Sequence, residues 1–203
     1  MKTRTEARRT AILLAATELF KELGYERASM NELAKRLGGS KATVYGYFPS
    51  KEDLFAAVVQ AVATGHLEEA VSSLSDDAEV PMDVLLTRFG ERMLRVLVND
   101  GDAMAVYRMV IAEAGHSVVG RLFHEAGPSQ AISGLASVLD AAMGRGELRQ
   151  ADPYIMALQF TALLKAECEL RMYEVAPPPV AQAEVRRMVR RAVDMFLQGA
   201  ASR

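Results

Sequence analysis

Residues 29-SMNELAKRLGGSKATVYGYFPSKEDLF-55 give the clearest indication of the fold, because they contain three short segments that each begin with a serine. Ser29 opens the first segment and is followed three residues later by a glutamate, which is the pattern of a helix-capping box. Gly38-Gly39 end this helix, and Ser40 caps a second, very short helix. Ser50 then caps a third helix whose first turn is acidic, as the helix dipole favours. Two short helices joined by a tight glycine turn have the spacing of a helix-turn-helix.

The second helix of this pair, from Ser40 to about Tyr47, has an apolar face and a polar face. Val44 and Phe48 are four residues apart and are predicted to face the core. Small residues allow close approach to base edges, whereas hydroxyl and ammonium groups suit phosphate oxygens. The other face carries residues of these kinds: Lys41, Ala42, Thr43, Tyr45, Gly46 and Tyr47. The pattern predicts DNA binding, with a three-helix packing unit without a ligand as the alternative.

The charged residues are divided unevenly along the chain. Residues 1–51 contain ten Lys or Arg and five Asp or Glu, whereas residues 52–203 contain fourteen and twenty-one. A basic N-terminal part followed by an acidic remainder indicates that the first part meets an anionic partner. Chance is the alternative, since a charge bias alone is weak evidence.

The rest of the chain also has the apolar spacing of helices, without a convincing strand-like alternation. The apolar residues from Ile12 to Leu23 fall on one helical face, and Gly24 is predicted to end that helix. A helix from Lys51 into the seventies leads to a polar, acidic linker at 72–81. Further helices are predicted at about 82–98, 102–114, 117–126, 129–143, 153–174 and 180–197. The predicted fold class is all-α, with about nine helices and an N-terminal three-helix helix-turn-helix domain.

The residue inventory argues against several function classes. The single cysteine, Cys168, leaves no pair for an intrachain disulfide or a cysteine zinc site, and favours the cytoplasm. Phosphate-binding glycine loops and nucleophile elbows are absent from the sequence, so neither an enzyme nor a cofactor is predicted. His116 and His124 are eight residues apart, which does not favour a metal site. No uncharged stretch reaches the ~18 apolar residues that a membrane span requires.

Residues 5–58 resemble the DNA-binding domain of the TetR family of bacterial repressors. The resemblance rests on Phe20, Gly24 and Tyr25, on the helix that begins at Ser29, and on the segments SKATVYGYF (40–48) and SKEDLF (50–55). The C-terminal part is similar to the AefR-like branch, through YRMVIAEAG (107–115) and LFHEAGP (122–128). The resemblance implies a ligand-responsive transcriptional repressor that binds a pseudo-palindromic double-stranded DNA operator as a homodimer.

The resemblance also implies roles for residues of the helix-turn-helix. Some are expected to contact backbone phosphates, and others, at the front of the recognition helix, to lie nearest the bases. The phosphate group comprises Ser29, Tyr45, Tyr47 and Lys51, and the front group comprises Lys41, Ala42 and Thr43. With the cap Ser40 and with Gly46, they make up the candidate DNA-binding set.

Three neighbouring features extend the family pattern or depart from it. An N-terminal arm would reach phosphates or the minor groove, with plain disorder as the alternative; its basic residues are Lys2, Arg4, Arg8 and Arg9. Gly39 stands where relatives usually carry a small apolar residue that plugs the turn, so Gly39→Val is predicted to raise thermal stability. Gly46 stands where relatives often place a larger side chain, so a DNA contact is expected to be missing there. Glycine also weakens so short a helix by ~1 kcal/mol relative to alanine.

Residues 1–50 are expected to form the DNA-binding domain, and residues 51–203 the effector-binding and dimerisation domain. The helix at about 153–174 is apolar nearly all round and needs cover on two sides. The helix at about 180–197 carries one clean apolar stripe. Both pattern and resemblance therefore predict a homodimer that forms through these last two helices, which would supply the two recognition helices that a two-fold DNA site requires.

The resemblance further implies a pocket for an unknown small-molecule effector. Its candidate lining residues are Phe89, Arg92, Met93, Tyr107, Ile111, Phe123, Phe160, Leu164 and Cys168. Eleven methionines suit an adaptable apolar pocket. Effector binding would shift the long helix from Lys51 to about Leu74 and release DNA. Two other functions stay open: a sequence-independent protein that compacts DNA, and a ligand-binding dimer without a DNA role.

Overall fold

The computed structural model describes residues 5–72, 74 and 80–201, which form helices joined by loops. The helices are α1 (Glu6–Arg27), α2 (Met30–Arg36), α3 (Lys41–Tyr47), α4 (Lys51–Val59), α5 (Gly65–Ser72), α6 (Met82–Asn99), α7 (Gly101–Glu113), α8 (Val119–Glu125), α9 (Pro128–Gly144), α10 (Pro153–Ala166) and α11 (Gln182–Ala200). Within the described residues there is no β-strand, only an isolated bridge between Leu148 and Ala201. The all-α prediction is confirmed. None of the described helices is long and apolar enough to cross a membrane.

Side-chain caps fix the starts of helices that the sequence predicts. The Oγ atoms of Ser29, Ser40 and Ser50 accept hydrogen bonds from backbone amides three residues on, at 3.2, 3.1 and 3.0 Å. The carboxylate of Asp152 accepts two bonds from the first amides of α10, at 2.9 and 3.0 Å. Each cap satisfies amides that a first helical turn leaves without a partner, and contributes about 1 kcal/mol.

Two glycines in the left-handed region shape the ends of α1 and α2. Gly38 has a φ of +59°, which L side chains rarely adopt, and α2 ends just before it as predicted. Gly24 has a φ of +73° and interrupts the helical geometry of α1, but a last turn continues to Arg27. The prediction that the first helix ends at Gly24 is therefore wrong by three residues, although Gly24 does interrupt its helical geometry.

Packing divides the chain into two compact units. The first contains the residues up to Gly65 together with Asp102–Ala126, and the second contains His66–Gly101 together with the residues from Gly127 onward. Helices α7 and α8 thus belong to the same unit as the helix-turn-helix. The predicted division at residue 50 concerns the roles of the two parts and stays a prediction.

An aromatic cluster lies in the core of the first unit. Phe20 and Phe55 are fully buried and pack edge to face, with ring centroids 5.4 Å apart. The ring of Tyr25 lies 5.0 Å from that of Phe55, also edge to face. Buried Leu33 of α2 and Val44 of α3 belong to the same core. The edge-to-face geometry stabilises these aromatic pairs in addition to their burial. The pairs hold α1 and α4 together in the core behind the helix-turn-helix.

The second unit has its own core, built from α5, α6, α9, α10 and α11. The ring of Phe160 lies 5.0 Å from that of Phe196 and 6.3 Å from that of Phe89. The predicted apolar stripe of α11 is buried: Val185, Met188, Val189, Ala192, Val193 and Phe196. Outside the stripe, Arg191 pairs with Glu167 of the α10 end at 2.5 Å. The last two long helices therefore pack against each other through their apolar faces.

The helix predicted at 153–174 is shorter in the structure. α10 ends at Ala166, and a 3₁₀-helix covers Glu169–Tyr173. Arg171 in this segment donates hydrogen bonds to a carbonyl oxygen of α6 and to one of the proline-rich loop that follows. The prediction was wrong about the last two turns because the contacts of Arg171 with α6 and with the loop that follows outweigh the local apolar pattern.

A π-helical turn, Gln60–Thr64, joins α4 to α5. The hydroxyl of buried Thr64 donates a 2.8 Å hydrogen bond to the carbonyl oxygen of Ala126. A Cβ atom at Gly65 would lie 2.6 Å from the carbonyl oxygen of Gln60, so glycine is required there. The helix predicted from Lys51 into the seventies is confirmed as far as Ser72, with this one irregular turn.

Candidate nucleic-acid interface

The recognition helix α3 turns one face to the core of the first unit and the opposite face to solvent. Val44 is 1% exposed and Phe48 is 3% exposed, which confirms the predicted inner face. The outer face holds the candidate residues: Ser40, Lys41, Ala42 and Tyr45 are exposed, and Thr43, Gly46 and Tyr47 are half-buried. Ser29 is exposed at the start of α2. These residues are available to a ligand, and their contact with DNA stays a prediction.

Lys41 and Tyr45 form a pair on the outer face of α3. The ammonium group lies 5.4 Å from the centroid of the tyrosine ring, a cation–π contact between residues one helical turn apart. The contact keeps a positive charge beside a phenolic hydroxyl. A cation and a hydroxyl donor next to each other are the combination that binds a phosphate oxygen.

The hydroxyl groups at the start of α3 are already hydrogen-bonded to each other. Oγ of Ser40 and Oγ1 of Thr43 are 2.9 Å apart, and Oγ of Ser40 also accepts from the amide of Thr43 at 3.1 Å. Thr43 is therefore held in one orientation by the cap. Ala42, which has no polar group to satisfy, is left as the small exposed residue of this turn.

Tyr47 connects the recognition helix to the beginning of α1. Its hydroxyl oxygen accepts a 2.9 Å hydrogen bond from the backbone amide of Thr5, the residue that caps α1. The proton of this hydroxyl stays available for an acceptor, such as a phosphate oxygen. Tyr47 therefore combines a positioning contact with a free donor, and the first role was not apparent from the sequence.

Lys51 has partners within the protein. Its ammonium group donates to the carbonyl oxygens of Tyr25 at 3.0 Å and Glu26 at 3.4 Å, and lies 4.1 Å from the centroid of the Tyr25 ring. These contacts tie the start of α4 to the last turn of α1. The phosphate contact implied for Lys51 stays a prediction, and a phosphate would have to share the ammonium group with these carbonyl oxygens.

The basic residues at the start of α1 lie against the helix-turn-helix. The guanidinium of Arg9 stands 5.3 Å from the centroid of the Phe48 ring. The guanidinium of Arg8 lies beside Gly39, in the turn before α3. Lys2 and Arg4 of the predicted arm lie outside the described residues. Arg8 and Arg9 are thus part of the folded first unit.

The predicted effector residues are divided between the two units. Five are buried in the core of the second unit: Phe89, Met93, Phe160, Leu164 and Cys168. Arg92, in the same unit, donates a hydrogen bond to the carbonyl oxygen of Glu69. Three belong to the first unit: the rings of Tyr107 and Phe123 are 5.6 Å apart, and Ile111 is 62% exposed. As an effector site, the set stays a prediction.

The structure also shows an apolar groove on the surface of the second unit, between α10 and α11. It has a volume of about 510 Å³, and its lining includes Met156, Leu163, Met195 and Phe196. Met195 is 65% exposed, and the neighbouring face of α10 exposes Ile155 and Leu158. This groove lies on the two helices that the sequence predicts to form the dimer.

The described residues do not bring histidines, cysteines and carboxylates together as a metal site would. Among residues 5–72, 74 and 80–201, no group of three or more such side chains could hold a metal ion. His116 and His124 are both exposed.

Two models of known protein families match most of this chain. The model of the N-terminal domain described as "Bacterial regulatory proteins, tetR family" matches residues 12–58. The model described as "AefR-like transcriptional repressor, C-terminal domain" matches residues 84–199, more than half of the chain. The first match contains α2 and α3, and the second contains α7 to α10.

Individual relatives are also transcriptional regulators, not enzymes. The activator FasR of Mycolicibacterium smegmatis is 41% identical over 69 residues, 34% of this chain and 30% of that protein. The regulator UidR of Escherichia coli is 37% identical over 102 residues, 47% of this chain and 52% of that protein. The matches thus span about half or less of these two relatives.

Among solved structures, the flavonoid-responsive regulator FrrA superposes over nearly the whole chain. It is 30% identical with a TM-score of 0.75, and the match covers 98% of this chain and 100% of FrrA. The helix-turn-helix, the helical C-terminal part and both family matches agree. The chain therefore belongs to the TetR family of bacterial transcriptional regulators.

Proposed function

We propose that this chain is a ligand-responsive transcriptional repressor that binds a pseudo-palindromic operator as a homodimer and is released from it by a small apolar effector. The observation that carries this proposal is the exposed outer face of α3, with the Lys41–Tyr45 pair beside small residues. The description of the C-terminal family as repressors supports repression over activation. We expect a protein with such a DNA partner to act in the cytoplasm.

The dimer is proposed to form through α10 and α11. The groove between these helices and the exposed side chains of Ile155, Leu158 and Met195 form an apolar surface that water does not favour. A second copy that presents the same surface would cover it in a two-fold arrangement. Two copies supply two recognition helices, and a pseudo-palindromic operator offers two half-sites in successive major grooves.

The effector is proposed to be a small apolar molecule bound by the C-terminal part. The candidate residues in the second unit are aromatic, aliphatic or sulfur-containing, and the two candidate rings of the first unit contact each other. FrrA, named as flavonoid-responsive, supports a small organic effector. Such a molecule releases DNA only if it binds the DNA-free state more tightly than the DNA-bound state. In this division of roles, residues 1–50 bind DNA and residues 51–203 bind effector and partner.

Selection of random duplexes by the purified protein tests this proposal. At ~150 mM salt we expect enrichment of a pseudo-palindrome, bound ~10³-fold or more tightly than a scrambled duplex. Equal, steeply salt-dependent binding to every duplex would indicate a DNA-compacting protein instead. Absence of binding to any duplex would favour a ligand-binding dimer without a DNA role. Small apolar compounds are then screened for release of the selected duplex, and failure of all to change its affinity would count against effector control.

A further inference from the structure

Arg8 places its guanidinium group over the turn of the helix-turn-helix. A Cβ atom at Gly39 would lie only 2.9 Å from Nη2 of Arg8, so the guanidinium occupies the space that a side chain at position 39 would need. Gly39 directly precedes Ser40, the cap of α3. A positive charge is thus held beside the entry to the recognition helix.

This guanidinium has no anionic partner in the described part of the chain. No carboxylate there lies within 4 Å of it, and no described residue shares a hydrogen bond with its side chain. Other arginines of the first unit do have such partners: Arg36 pairs with Glu22 at 2.7 Å, and Arg121 pairs with Glu125 at 2.9 Å. Arg8 is therefore a half-buried cation whose hydrogen-bond donors are available to a ligand.

Two neighbouring contacts hold the backbone of Arg8 in place. The amide of Thr5 donates to the hydroxyl of Tyr47 at 2.9 Å, and the guanidinium of Arg9 lies over the ring of Phe48. The first turn of α1 is thus fastened to the end of α3. Because this turn is fixed, binding of a ligand by Arg8 would reduce only the conformational entropy of the Arg8 side chain.

We propose that Arg8 is a phosphate-binding residue of the DNA interface, and that Gly39 determines its position. The inference rests on the proposed DNA-binding function and adds a contact to it. In a helix-turn-helix the recognition helix lies in the major groove, while adjoining segments meet the sugar-phosphate backbone. A guanidinium presents a planar fork of donors that fits two phosphate oxygens. Because Gly39 has no side chain, the turn has room for the Arg8 guanidinium, and a charged group stands there in place of an apolar side chain.

The close approach at Gly39 allows a selective test. The backbone of Gly39 lies outside the left-handed region, so alanine can adopt it. The only side-chain atom that a new Cβ would meet within 4 Å is the far end of the flexible Arg8 side chain. Gly39→Ala should therefore leave the fold intact and displace the guanidinium.

The test measures binding of the full-length protein to the duplex that the wild type selects from a random library, at several salt concentrations. Arg8→Ala is expected to weaken binding roughly tenfold and to reduce the salt dependence by about one phosphate contact per protomer. Arg8→Lys should retain the salt dependence with a smaller loss of affinity.

Gly39→Ala should weaken binding in the wild type and have no further effect in the Arg8→Ala background. Arg121→Ala, which removes an equal charge from α8, is the matched control and should bind like the wild type.

Three results would overturn the inference. They are wild-type affinity for Arg8→Ala, an unchanged salt dependence in that variant, and a full Gly39→Ala effect in the absence of Arg8. Melting temperatures of all variants identify loss of folding, and Arg8→Lys covers the case in which Arg8→Ala does not fold. If the wild type selects no duplex, the proposed function fails together with the inference. If the wild type selects a duplex and Arg8→Ala binds it equally well, only the inference fails.

Discussion

The side-chain carboxylate of Glu113, the last residue of α7, accepts a 2.8 Å hydrogen bond from the backbone amide of Tyr25. Gly24 precedes this amide in a left-handed conformation, and a Cβ atom there would lie 2.5 Å from the same carboxylate oxygen. Tyr25 lies within the N-terminal family match and Glu113 within the AefR-like match. The bond therefore joins the two family regions inside one packed unit.

Glu113→Ala is expected to lower the free energy of unfolding by about 1–3 kcal/mol, because the amide of Tyr25 would lose its acceptor in a part-buried place. Urea denaturation followed by circular dichroism measures the change. Ile111→Ala on the same helix is the matched control, since Ile111 is 62% exposed and its loss should cost less than about 0.5 kcal/mol. Equal losses for the two variants would show that the hydrogen bond contributes little.

Gly39→Val is expected to raise the melting temperature by a few degrees. Position 39 is exposed and outside the left-handed region, so valine restricts the unfolded chain, a gain of about 0.4–1 kcal/mol, and the folded chain has only to move the flexible end of the Arg8 side chain. Thermal unfolding measured by differential scanning calorimetry checks the direction.

Gly24→Ala provides the opposite case for that experiment. Its φ of +73° and the carboxylate 2.5 Å away leave no strain-free place for a methyl group, so its melting temperature should fall. A lower melting temperature for Gly39→Val as well would mean that displacing Arg8 costs more than the entropy gain.

Lys41→Ala and Tyr45→Ala are each expected to weaken binding to the selected operator at least tenfold, because both side chains stand on the outer face of α3. Their cation–π contact is exposed, so each change should alter the free energy of unfolding by less than about 1 kcal/mol. Fluorescence anisotropy titration and urea denaturation measure the two effects. Arg95→Ala, at an exposed cation of α6, is the control. Unchanged operator affinity in both α3 variants would remove the main support for this DNA-binding face.

Local signals made the helix-turn-helix predictable from the sequence. Ser29, Ser40 and Ser50 act as caps through hydrogen bonds that span only three residues, and Gly38 ends α2 through its own backbone conformation. The inner face of α3 follows from helical periodicity. None of these features depends on a distant part of the chain, so the sequence contains all the information that they require.

Contacts between distant residues account for what the sequence did not reveal. The 3₁₀ segment after α10 includes a bond from Arg171 to the remote carbonyl oxygen of Val98, and the π-helical turn a bond from Thr64 to Ala126. Lys51, for which the family resemblance implies a phosphate contact, also donates to the carbonyl oxygens of Tyr25 and Glu26, and the sequence does not show these bonds. An apolar residue such as Phe123 is predicted to be buried, but the sequence does not indicate which residues it packs against. For this reason the sequence does not show that the candidate effector residues belong to two different units.

Cys168 is expected to resist alkylation in the folded protein. Burial raises the pKa of its thiol to about 11, so at pH 8 only about one molecule in a thousand carries the reactive thiolate. Iodoacetamide labelling at pH 8, followed by mass spectrometry, should show slow modification that becomes fast in urea. Equally fast labelling with and without urea would contradict burial of this residue in the second unit.

Met195→Glu is expected to convert the proposed homodimer into monomers. Met195 lines the groove between α10 and α11 and is 65% exposed in the single chain, so a folded monomer tolerates glutamate there. In the proposed dimer the new carboxylate would be buried without a partner, which costs several kcal/mol per copy. Sedimentation velocity measures the association state, and circular dichroism confirms that helicity is retained.

Arg190→Glu introduces a carboxylate on another exposed face of α11 and should leave the dimer intact. A Met195→Glu protein that sediments as a dimer would place the subunit contact outside this groove, whereas a folded monomer that binds operator only weakly would show that the two recognition helices must be joined through α10 and α11.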